Sequence, residues 1–432
     1  MKTTSFHLMP YPELPDDFPE AHRSVWVDID PELFDPRVGH RAYNEYLDEL
    51  EFAAQVGFDA VGINEHHSNG YGLMPSPNLI AASLARQCPD TNIVVLGDSV
   101  ALYNPPLRVA EELAMLDCIT GGRMVAGFPV GSPMDTIFAY GQNPATLRER
   151  YQEGVELILR AWQADEVFSF NGRYNKLRYV NVWPRPVQEP HPPVWIPGGG
   201  SVDTWDWCAQ NDLVYCYLSY FGYRAGLKTM QGFWKKVQEE GKEPNPFQGG
   251  FAQFVAIADT EAEAWELYRE PAEYFFNRCL HVYAGFADPP GYKTPNTVRA
   301  GVEGMVERAA REATARSEAR RAHQGKKQPG PFAGLTFEEM VEKGYIILGD
   351  PTQVTEQVHE LCTTMNVGHL MTFNHFGNMD KELVRYNTDL YARHVLPELR
   401  GLFEDEWEDR WWPKPLPAAE RVPVGTLTSD QP

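Results

Sequence analysis

The stretch NIVVLGDSVALYNPPLRVAEELAMLDCITGGRMVAGF, residues 92–128, has the pattern of a strand, a helix and a second strand. The runs 92–99 and 124–128 are short and apolar, with the β-branched residues that strands favour. Residues 107–118 follow a proline pair and end before a glycine pair, which is typical of a helix. Two such strands joined by one helix predict parallel strands with a crossover connection.

The same alternation continues along most of the chain, and we count about eight units of strand and helix. The predicted strands are residues 5–9, 60–64, 92–99, 124–128, 194–197, 213–218, 251–257 and 369–373. The predicted helices are residues 41–56, 78–87, 107–118, 147–162, 202–210, 227–239, 261–278, 352–365 and 381–399. Over 432 residues this pattern favours an α/β fold, a (β/α)8 TIM barrel, over an open doubly wound sheet.

Three insertions interrupt the alternation. An excursion rich in proline and aromatic residues follows the first strand, and residues 167–193 predict a hairpin with a proline-rich connector after the fourth strand and helix. Residues 281–344 follow the seventh strand and its helix, and they are a candidate lid. We expect one barrel domain over residues 1–412 and a proline-rich tail over residues 413–432.

The charge and composition of the chain exclude some partners. With 60 acidic and 38 basic residues, the formal net charge is -22, which repels nucleic acid and anionic membrane surfaces. There is no run of roughly 18 apolar residues and no export signal, so we expect no membrane partner and a cytoplasmic protein. Six scattered cysteines without a C-x-x-C pair suit a reducing compartment.

The second predicted strand ends in Glu65-His66-His67, where side chains would reach the mouth of a barrel. Because successive strand residues face opposite sides, Glu65 and His67 share one side and His66 faces the other. A metal site, a catalytic acid and base, and a strand end that satisfies buried backbone groups are alternative interpretations. Adjacent histidines do not easily clamp one metal, and the sequence has no H-x-H pattern, so we predict no metal site.

Five motifs follow one another along the chain. They are EHH at residues 65–67, LDCITGGR at 116–123, RYQEG at 150–154, PHPPVWIPGGGS at 190–201 and LGDP at 348–351. In the order and spacing of these motifs, the chain resembles the bacterial luciferase-like family of flavin-dependent monooxygenases and oxidoreductases. The resemblance covers most of the chain and implies a barrel that binds a flavin at its mouth.

The resemblance implies a two-component flavin-dependent monooxygenase. A separate flavin reductase, which binds only transiently, would supply reduced FMN. The reduced FMN would react with O2 to form a C4a-(hydro)peroxyflavin, which oxygenates a small or medium apolar organic substrate. FAD and the deazaflavin F420 are alternative cofactors. An F420-dependent dehydrogenase on the same fold, a flavin-binding protein without catalysis and, more remotely, a metal hydrolase are alternative functions. The family also implies a homodimer.

The catalytic candidates follow from the first of these motifs. His66 matches the histidine that looks catalytic in the family, and His67 and Glu65 stand beside it. A histidine at a strand end can supply the hydrogen-bond donor that an oxygen adduct of the flavin needs. For His67, a structural role is the alternative interpretation to a catalytic one.

The candidates for binding the flavin side chain and phosphate are Gly199, Gly200, Ser201, Arg150 and Tyr151, by their match to the family. Glycine amides, a hydroxyl and a helix N-terminus after the fifth strand would meet a phosphate. The guanidinium can fork onto phosphate, and the phenol can reach the flavin chain. A simple helix cap at Ser201 and an intrahelical pair of Arg150 with Glu153 are alternative interpretations.

The flavin ring would lie against Asp98, Ser99 and Phe128, at the ends of the third and fourth strands. Relatives tend toward G-x-G-x-G after the fourth strand, whereas residues 127–131 here are GFPVG, so either Phe128 packs beside the ring or the backbone path differs. Loops rich in aromatic residues predict an apolar substrate. For each of these residues, packing in the hydrophobic core is the alternative interpretation. The candidate substrate-binding residues are Tyr11, Tyr71, Met74, Tyr217 and His375.

Overall fold

A computed structural model describes residues 1–218, 221–299 and 334–422 of the chain. Its strands are β1 (Lys2–Phe6), β2 (Ala60–Ile63), β3 (Asn92–Leu96), β4 (Met124–Gly127), β5 (Phe168–Asn171), β6 (Lys176–Val180), β7 (Val194–Gly198), β8 (Val214–Leu218), β9 (Gly249–Ile257), β10 (Ile346–Gly349) and β11 (His369–Phe373). Parallel pairing closes a ring in the order β1, β2, β3, β4, β7, β8, β9, β11 and back to β1. The predicted (β/α)8 barrel is therefore confirmed.

Helices surround this ring. They are α1 (Phe18–Ala21), α2 (Pro36–Gln55), α3 (Pro77–Gln87), α4 (Leu107–Thr120), α5 (Pro144–Gln163), α6 (Val202–Asn211), α7 (Gly222–Glu239), α8 (Glu261–Leu267), α9 (Arg269–Tyr274), α10 (Ala284–Ala287), α11 (Phe337–Glu342), α12 (Pro351–Met365), α13 (Lys381–Leu390) and α14 (Leu396–Leu399). The segments Met134–Ala139, Phe275–Cys279 and Tyr391–Val395 are π-helical. Short 3-10 turns occur at Pro31–Leu33, Val100–Leu102 and Pro246–Gln248.

Local sequence explains where several helices begin and end. α2 starts with a proline in its first turn, and the Asp35 side chain caps it by accepting the Arg37 backbone N–H. α4 ends at Gly121, whose φ of 67° lies in the left-handed region that glycine adopts without a steric penalty. These ends place each helix between two consecutive barrel strands.

Two features differ from the predicted alternation. β10 pairs in parallel with the last part of β9, where Ile346 lies beside Phe254, and extends the sheet outside the ring. The alternation takes residues 369–373 as its eighth strand, so it leaves no place for an extra strand outside the ring. The helix predicted over residues 381–399 is interrupted by a π-helical segment, and the helix predicted over residues 261–278 is divided at Tyr268 and ends in another such segment.

The predicted insertions have different amounts of described structure. β5 and β6 form the expected antiparallel hairpin. Within the candidate lid, residues 281–344, the part from 300 to 333 lies outside the described residues. The division into a domain of residues 1–412 and a tail of residues 413–432 stays a prediction. In the described part of that tail, the Leu416 N–H donates to the Gly121 carbonyl at 2.9 Å.

The ends of β3 and β4 approach each other so closely that glycine is required. A Cβ atom on Gly97 would lie 1.8 Å from the Gly127 carbonyl oxygen, which is a backbone atom. A Cβ atom on Gly127 would lie 2.3 Å from the Val95 carbonyl oxygen. This approach shapes one wall of the barrel mouth.

Across residues 1–218, 221–299 and 334–422, no helix combines the length and the apolar character that crossing a membrane requires.

Candidate active site

A cavity of about 280 Å³ opens where β2, β3, β4 and β7 end. Its walls come from the residues that follow these strands, from α5 and from the segment after α10. The residues that line it include Asn64, Glu65, His66, Gly97, Ser99, Gly131, Ser132, Arg148, Gly199, Ser201, Thr204 and Tyr292. This is the face of a TIM barrel on which active sites lie.

His66 stands at this mouth and is held by a buried carboxylate. Its Nδ1 lies 2.9 Å from Oδ2 of Asp135, whose side chain is 1% exposed. The same carboxylate accepts the Trp26 indole N–H at 2.9 Å, the His67 backbone N–H at 2.8 Å and the Ser132 hydroxyl at 2.8 Å. Burial alone would raise the pKa of Asp135, but the neighbouring His66 and the N–H donors outweigh burial and lower that pKa.

The Asp135 carboxylate fixes the orientation and the tautomer of His66. An ionised carboxylate only accepts hydrogen bonds, so Nδ1 of His66 carries a proton. Nε2 is then the ring nitrogen that can take up or release a proton. Without a second proton, Nε2 is an acceptor, and only the doubly protonated ring offers the donor that the family resemblance suggests.

Glu65 and His67 contact each other on the other side of the strand end. Oε1 of Glu65 lies 2.8 Å from Nε2 of His67, and Oε2 accepts the Ser99 backbone N–H at 2.5 Å. The Tyr140 hydroxyl lies 3.2 Å from Nδ1 of His67. Glu65 lines the cavity, whereas His67 does not. These contacts hold the ends of β2 and β3 together.

Asp98 is fully buried behind the end of β3 and does not line the cavity. Its Oδ1 accepts the Asn78 side-chain N–H at 3.0 Å. Burial, followed by the charges of Glu65 and Glu112, raises the pKa of Asp98 well above its ordinary range, which favours the neutral acid. Of the two residues predicted here, Ser99 is the one that reaches the cavity.

A cationic corner, formed by Arg148, Ser201 and Thr204, lies at the opposite side of the cavity from β2 and is called the Arg148 corner below. The Arg148 guanidinium donates to Oγ1 of Thr204 at 3.2 Å and to Oγ of Ser201 at 3.1 Å. Ser201 is the N-cap of α6, and its hydroxyl makes no capping bond. Two hydroxyls, a guanidinium and the positive end of a helix therefore converge.

The Arg148 corner suits the phosphate of a flavin cofactor. Within residues 1–218, 221–299 and 334–422, Arg148 contacts hydroxyl groups and forms no ion pair. A Cβ atom on Gly199 would meet no other atom within 4 Å, so this backbone faces open space. Gly200 has a φ of 100°, which favours glycine and turns the chain into α6. The residues present thus fit a phosphorylated flavin.

The segment after α10 covers this corner. The Tyr292 hydroxyl donates to the Gly131 carbonyl at 2.7 Å, and Oγ1 of Thr297 lies 3.3 Å from Oγ of Ser201. The first part of the candidate lid therefore reaches across the mouth from the loop after β4 to the start of α6.

Besides Asp98, three further residues predicted to bind the cofactor lie outside the cavity. The Arg150 guanidinium lies 5.8 Å from the centre of the Tyr174 ring, toward the β5–β6 hairpin. Tyr151 is buried, and its hydroxyl donates to the Phe128 carbonyl at 2.7 Å. Phe128 is buried too, and neither aromatic residue lines the cavity. The structure places Arg148, not Arg150, at the corner.

The predicted substrate-binding residues are divided between several places. Tyr11 lines a second cavity next to His66. The ring centre of Tyr71 lies 5.0 Å from that of His66, and the Met74 carbonyl accepts the His66 backbone N–H at 3.0 Å. Tyr217 is buried on β8 and lines neither cavity.

His375 belongs to a separate cluster of ionisable groups. Oε2 of Glu49 lies 2.7 Å from Nδ1 of His375 and 2.9 Å from Nε2 of His7, an arrangement similar to a set of metal ligands. Nδ1 of His7, however, accepts the Met9 backbone N–H at 2.8 Å. In the neutral ring Nε2 therefore carries the proton and donates to Glu49 instead of binding a cation. Burial would raise the pKa of Glu49, but the two histidines lower it to about 2.

Sequence reasoning missed Asp135, Arg148 and Thr204. Asp135 follows Ser132 by three residues, a spacing that indicates a helix cap. The sequence therefore gives no sign that the Asp135 side chain contacts His66. Thr204 lies one helical turn after Ser201, and that spacing is a signal that identifies it once Ser201 is a candidate.

An eight-stranded parallel barrel with a tethered histidine and a cationic corner at the carboxyl ends of its strands is typical of TIM-barrel enzymes, whose active sites lie at this face. The chain matches the model of the luciferase-like monooxygenase family over residues 29–365, and it belongs to this family. The protein is thus an oxidoreductase of a family whose members include flavin-dependent monooxygenases.

Individual relatives and structures agree with this assignment. The chain is 26% identical over 391 residues to the FMNH(2)-dependent dimethylsulfone monooxygenase of Pseudomonas putida, covering 89% of this chain and 91% of that protein. It is 29% identical over 184 residues to the F420-dependent glucose-6-phosphate dehydrogenase of Amycolatopsis mediterranei (strain U-32), covering 38% and 53%. The oxygenating constituent of 3,6-diketocamphane monooxygenase from Pseudomonas putida, solved with FMN, matches with a TM-score of 0.66 at 19% identity, covering 92% and 98%. At that identity the last match shows a shared fold.

Proposed function

We propose that the protein is the oxygenase of a two-component flavin-dependent monooxygenase. It takes reduced FMN from a separate flavin reductase and uses O2 to oxygenate a small or medium apolar organic substrate. One observation carries the proposal: a single cavity joins the Arg148 corner to His66, the histidine tethered by Asp135.

The Arg148 corner would hold the cofactor phosphate. The guanidinium and the Ser201 and Thr204 hydroxyls are donors at the N-terminus of α6, where a phosphate is favoured. Tyr292 and Thr297 cover the corner, so it suits a cofactor that ends in its phosphate. FAD and F420 carry further groups beyond a phosphate, which would have to pass this cover. These contacts support FMN over the two alternatives.

Bound FMN in its reduced form supplies the electrons that activate O2. His66 holds or releases a proton at Nε2, while Asp135 keeps the ring in place through Nδ1. Glu65 fixes the wall at Ser99 by accepting its backbone N–H. The cover at Tyr292 limits the access of water to the cavity.

Substitution of the corner arginine tests the cofactor site. We expect Arg148→Ala to weaken the binding of reduced FMN ~10–100-fold, because charge-assisted hydrogen bonds contribute ~1.5–3 kcal/mol. Arg150→Ala is the matched control, on the same helix but directed to Tyr174, and should bind FMN as the wild type does. Anaerobic fluorescence titration measures both. Equal weakening in the two variants, or none in Arg148→Ala, would refute this site.

An F420-dependent dehydrogenase is the second candidate function, because one relative is named for that cofactor. Stopped-flow absorbance separates the two: protein loaded with reduced FMN is mixed with oxygenated buffer, with and without trial substrates. We expect reoxidation to be slower than for free reduced FMN and to change with substrate. Rapid reoxidation that no substrate alters would indicate a flavin-binding protein without catalysis, and tighter binding of F420 than of FMN would indicate the dehydrogenase.

A homodimer and a transient reductase complete the proposal. One relative is named as FMNH(2)-dependent, and one structural neighbour is named as an oxygenating constituent, which fits a reduced flavin supplied by another protein. Light scattering after gel filtration tests the dimer, which should have twice the 49.0 kDa of one chain.

A further inference from the structure

A second cavity, of about 500 Å³, lies beside the flavin cavity, and none of the roles proposed above uses it. Its walls are the excursion after β1 and the loop after His66. His66 lines both cavities, so its imidazole stands between them. We call this space the outer cavity.

The lining of the outer cavity indicates a mainly apolar ligand without a negative charge. Leu14, Ile29, Leu33, Phe34 and Leu73 supply much of its surface. Its volume lies within the ~300–1,000 Å³ typical of sites for small organic molecules. Among the described residues that line it there is no lysine or arginine, and Asp30 contributes a carboxylate. An anionic ligand is therefore disfavoured.

One polar group in the wall lacks a partner. Oδ1 of Asn69 accepts the Gly72 backbone N–H at 2.6 Å, which fixes the orientation of the amide. Nδ2 of Asn69 is buried and has no hydrogen-bond partner within the described residues. An unpaired buried donor costs free energy, so a small shift of the Asn69 side chain that brings Nδ2 to an acceptor on a ligand in this cavity would be favoured.

His66 connects this wall to the flavin cavity. A Cβ atom on Gly72, which also lines the outer cavity, would lie 3.5 Å from Cδ2 of His66. Cδ2 is bonded to Nε2, so this side of the ring packs toward Gly72, a residue of the outer-cavity wall. Nδ1 is bound to Asp135 on the other edge.

We propose that the outer cavity binds the apolar body of the substrate, that Asn69 Nδ2 donates to an uncharged acceptor on it such as a carbonyl oxygen, and that the reacting end of the substrate passes His66 into the flavin cavity. The inference rests on the proposed function and deepens it, because it names the substrate class as an apolar molecule with a neutral hydrogen-bond acceptor.

Calorimetric titration of the flavin-free protein with 2-nonanone tests the site without any reaction. We expect the wild type to bind 2-nonanone at least tenfold more tightly than nonanoate, which has a similar chain and a negative charge. Asn69→Asp keeps the acceptor for Gly72 and removes the donor, so it should bind 2-nonanone at least tenfold more weakly. Leu33→Trp fills the cavity and should do the same.

Leu383→Trp is the matched control, since Leu383 is also a partly buried leucine but lines neither cavity, and it should bind 2-nonanone as the wild type does. All variants should bind reduced FMN within twofold of the wild type. No binding of 2-nonanone to the wild type, equal binding by Asn69→Asp and Leu33→Trp, or competition between 2-nonanone and FMN would overturn the assignment. If FMN fails to bind while the ketone behaves as expected, the proposed function fails and the outer cavity stands as a ligand site.

Discussion

Two clusters of histidine and carboxylate lie at the same end of the barrel and differ mainly in the space around them. After β2, His66 is bound to Asp135 at 2.9 Å, is 15% exposed and lines two cavities. After β1 and β11, His7 and His375 share Glu49 at 2.9 and 2.7 Å, but their side chains are 4% and 2% exposed. Neither lines either cavity. Similar residues therefore face open cavities in one place and are enclosed by protein in the other.

The hydrogen bonds of the ring nitrogens make the same distinction. His66 uses Nδ1 for Asp135 and leaves Nε2 outside that bond, on a residue that lines both cavities. His7 uses Nδ1 for the Met9 N–H and Nε2 for Glu49, so it cannot exchange a proton with a ligand without breaking a bond. We expect substitutions in the first cluster to change rates and substitutions in the second to change stability.

The largest expected effect is that of His66→Asn. Asparagine cannot exchange a proton, so the rate of product formation should fall by ~10²–10⁴, the usual contribution of a general acid or base. Binding of reduced FMN and the thermal midpoint should stay close to those of the wild type. Rate assays on the best substrate of a trial panel, FMN titration and thermal melting measure the three quantities.

His375→Gln is the matched control from the other cluster. It should lower the thermal midpoint because it disturbs a buried bond to Glu49, and it should leave the rate within a few-fold. The comparison breaks if His375→Gln abolishes product formation while His66→Asn only lowers stability.

Glu49→Gln is expected to have the next largest effect, on stability alone. Replacing a buried carboxylate that accepts two imidazole donors should reduce the free energy of unfolding at pH 7 by ~1.5–3 kcal/mol. The pKa of Glu49 is about 2 in the folded protein and 4.5 ordinarily, so its contribution is present above about pH 4.5. The difference between wild type and variant should therefore shrink as the pH falls from about 4.5 toward 2.

Urea unfolding at pH 7 and pH 3 measures this difference. Glu45→Gln, one turn earlier on α2 and half-buried, is the control and should change stability by about 0.5 kcal/mol or less. A gap between wild type and Glu49→Gln that widens in acid would contradict the assigned direction of the pKa.

The barrel could be predicted because its signals are local. Short apolar runs between amphipathic stretches recur along the chain, and in residues 92–128 proline precedes the helix and glycine follows it. β10 could not be predicted from the alternation, because residues 369–373 already complete the eight units and its place beside β9 depends on tertiary pairing. The first strand ends at Phe6 and not at residue 9, so His7, which the pattern places inside a strand, lies at a strand end.

The residues of the site that follow a strand end could be predicted from the sequence. The arginine on α5 could not, because either of two faces of this helix could point to the cavity. Arg148 and Arg150 flank the buried stripe of Leu147 and Tyr151 on α5. At about 100° per residue they lie on opposite sides of that stripe, so periodicity does not favour either one. The loop after β7 and the cover from Tyr292 decide between them, and both are distant in sequence.

Asp135→Asn sharpens the comparison with a smaller effect. The amide can present an N–H to Nδ1 of His66, which would move the ring proton to Nε2. If Nε2 must accept a proton, the rate should fall ~10–100-fold, matching ~1.5–3 kcal/mol for a charge-assisted bond. FMN affinity should stay unchanged. Ser132→Ala removes another donor to the same carboxylate without reversing the tautomer, and it should have a much smaller effect. An unchanged rate in Asp135→Asn would mean that Nε2 acts as a donor.

Tyr140→Phe is expected to have the smallest effect. It tests whether His67 belongs with the enclosed, structural histidines or with His66, which lines the cavities. The Tyr140 hydroxyl lies 3.2 Å from Nδ1 of His67, but its residue is 50% exposed, so water can replace the bond. Stability should fall by about 0.5 kcal/mol or less, and the rate should stay within twofold, because Nε2 of His67 keeps its buried bond to Glu65. Tyr179→Phe, at an exposed tyrosine of β6, is the control. A several-fold loss of rate at constant stability in Tyr140→Phe alone would show that His67 takes part in proton transfer, and the distinction between enclosed and open histidines would then have to be redrawn.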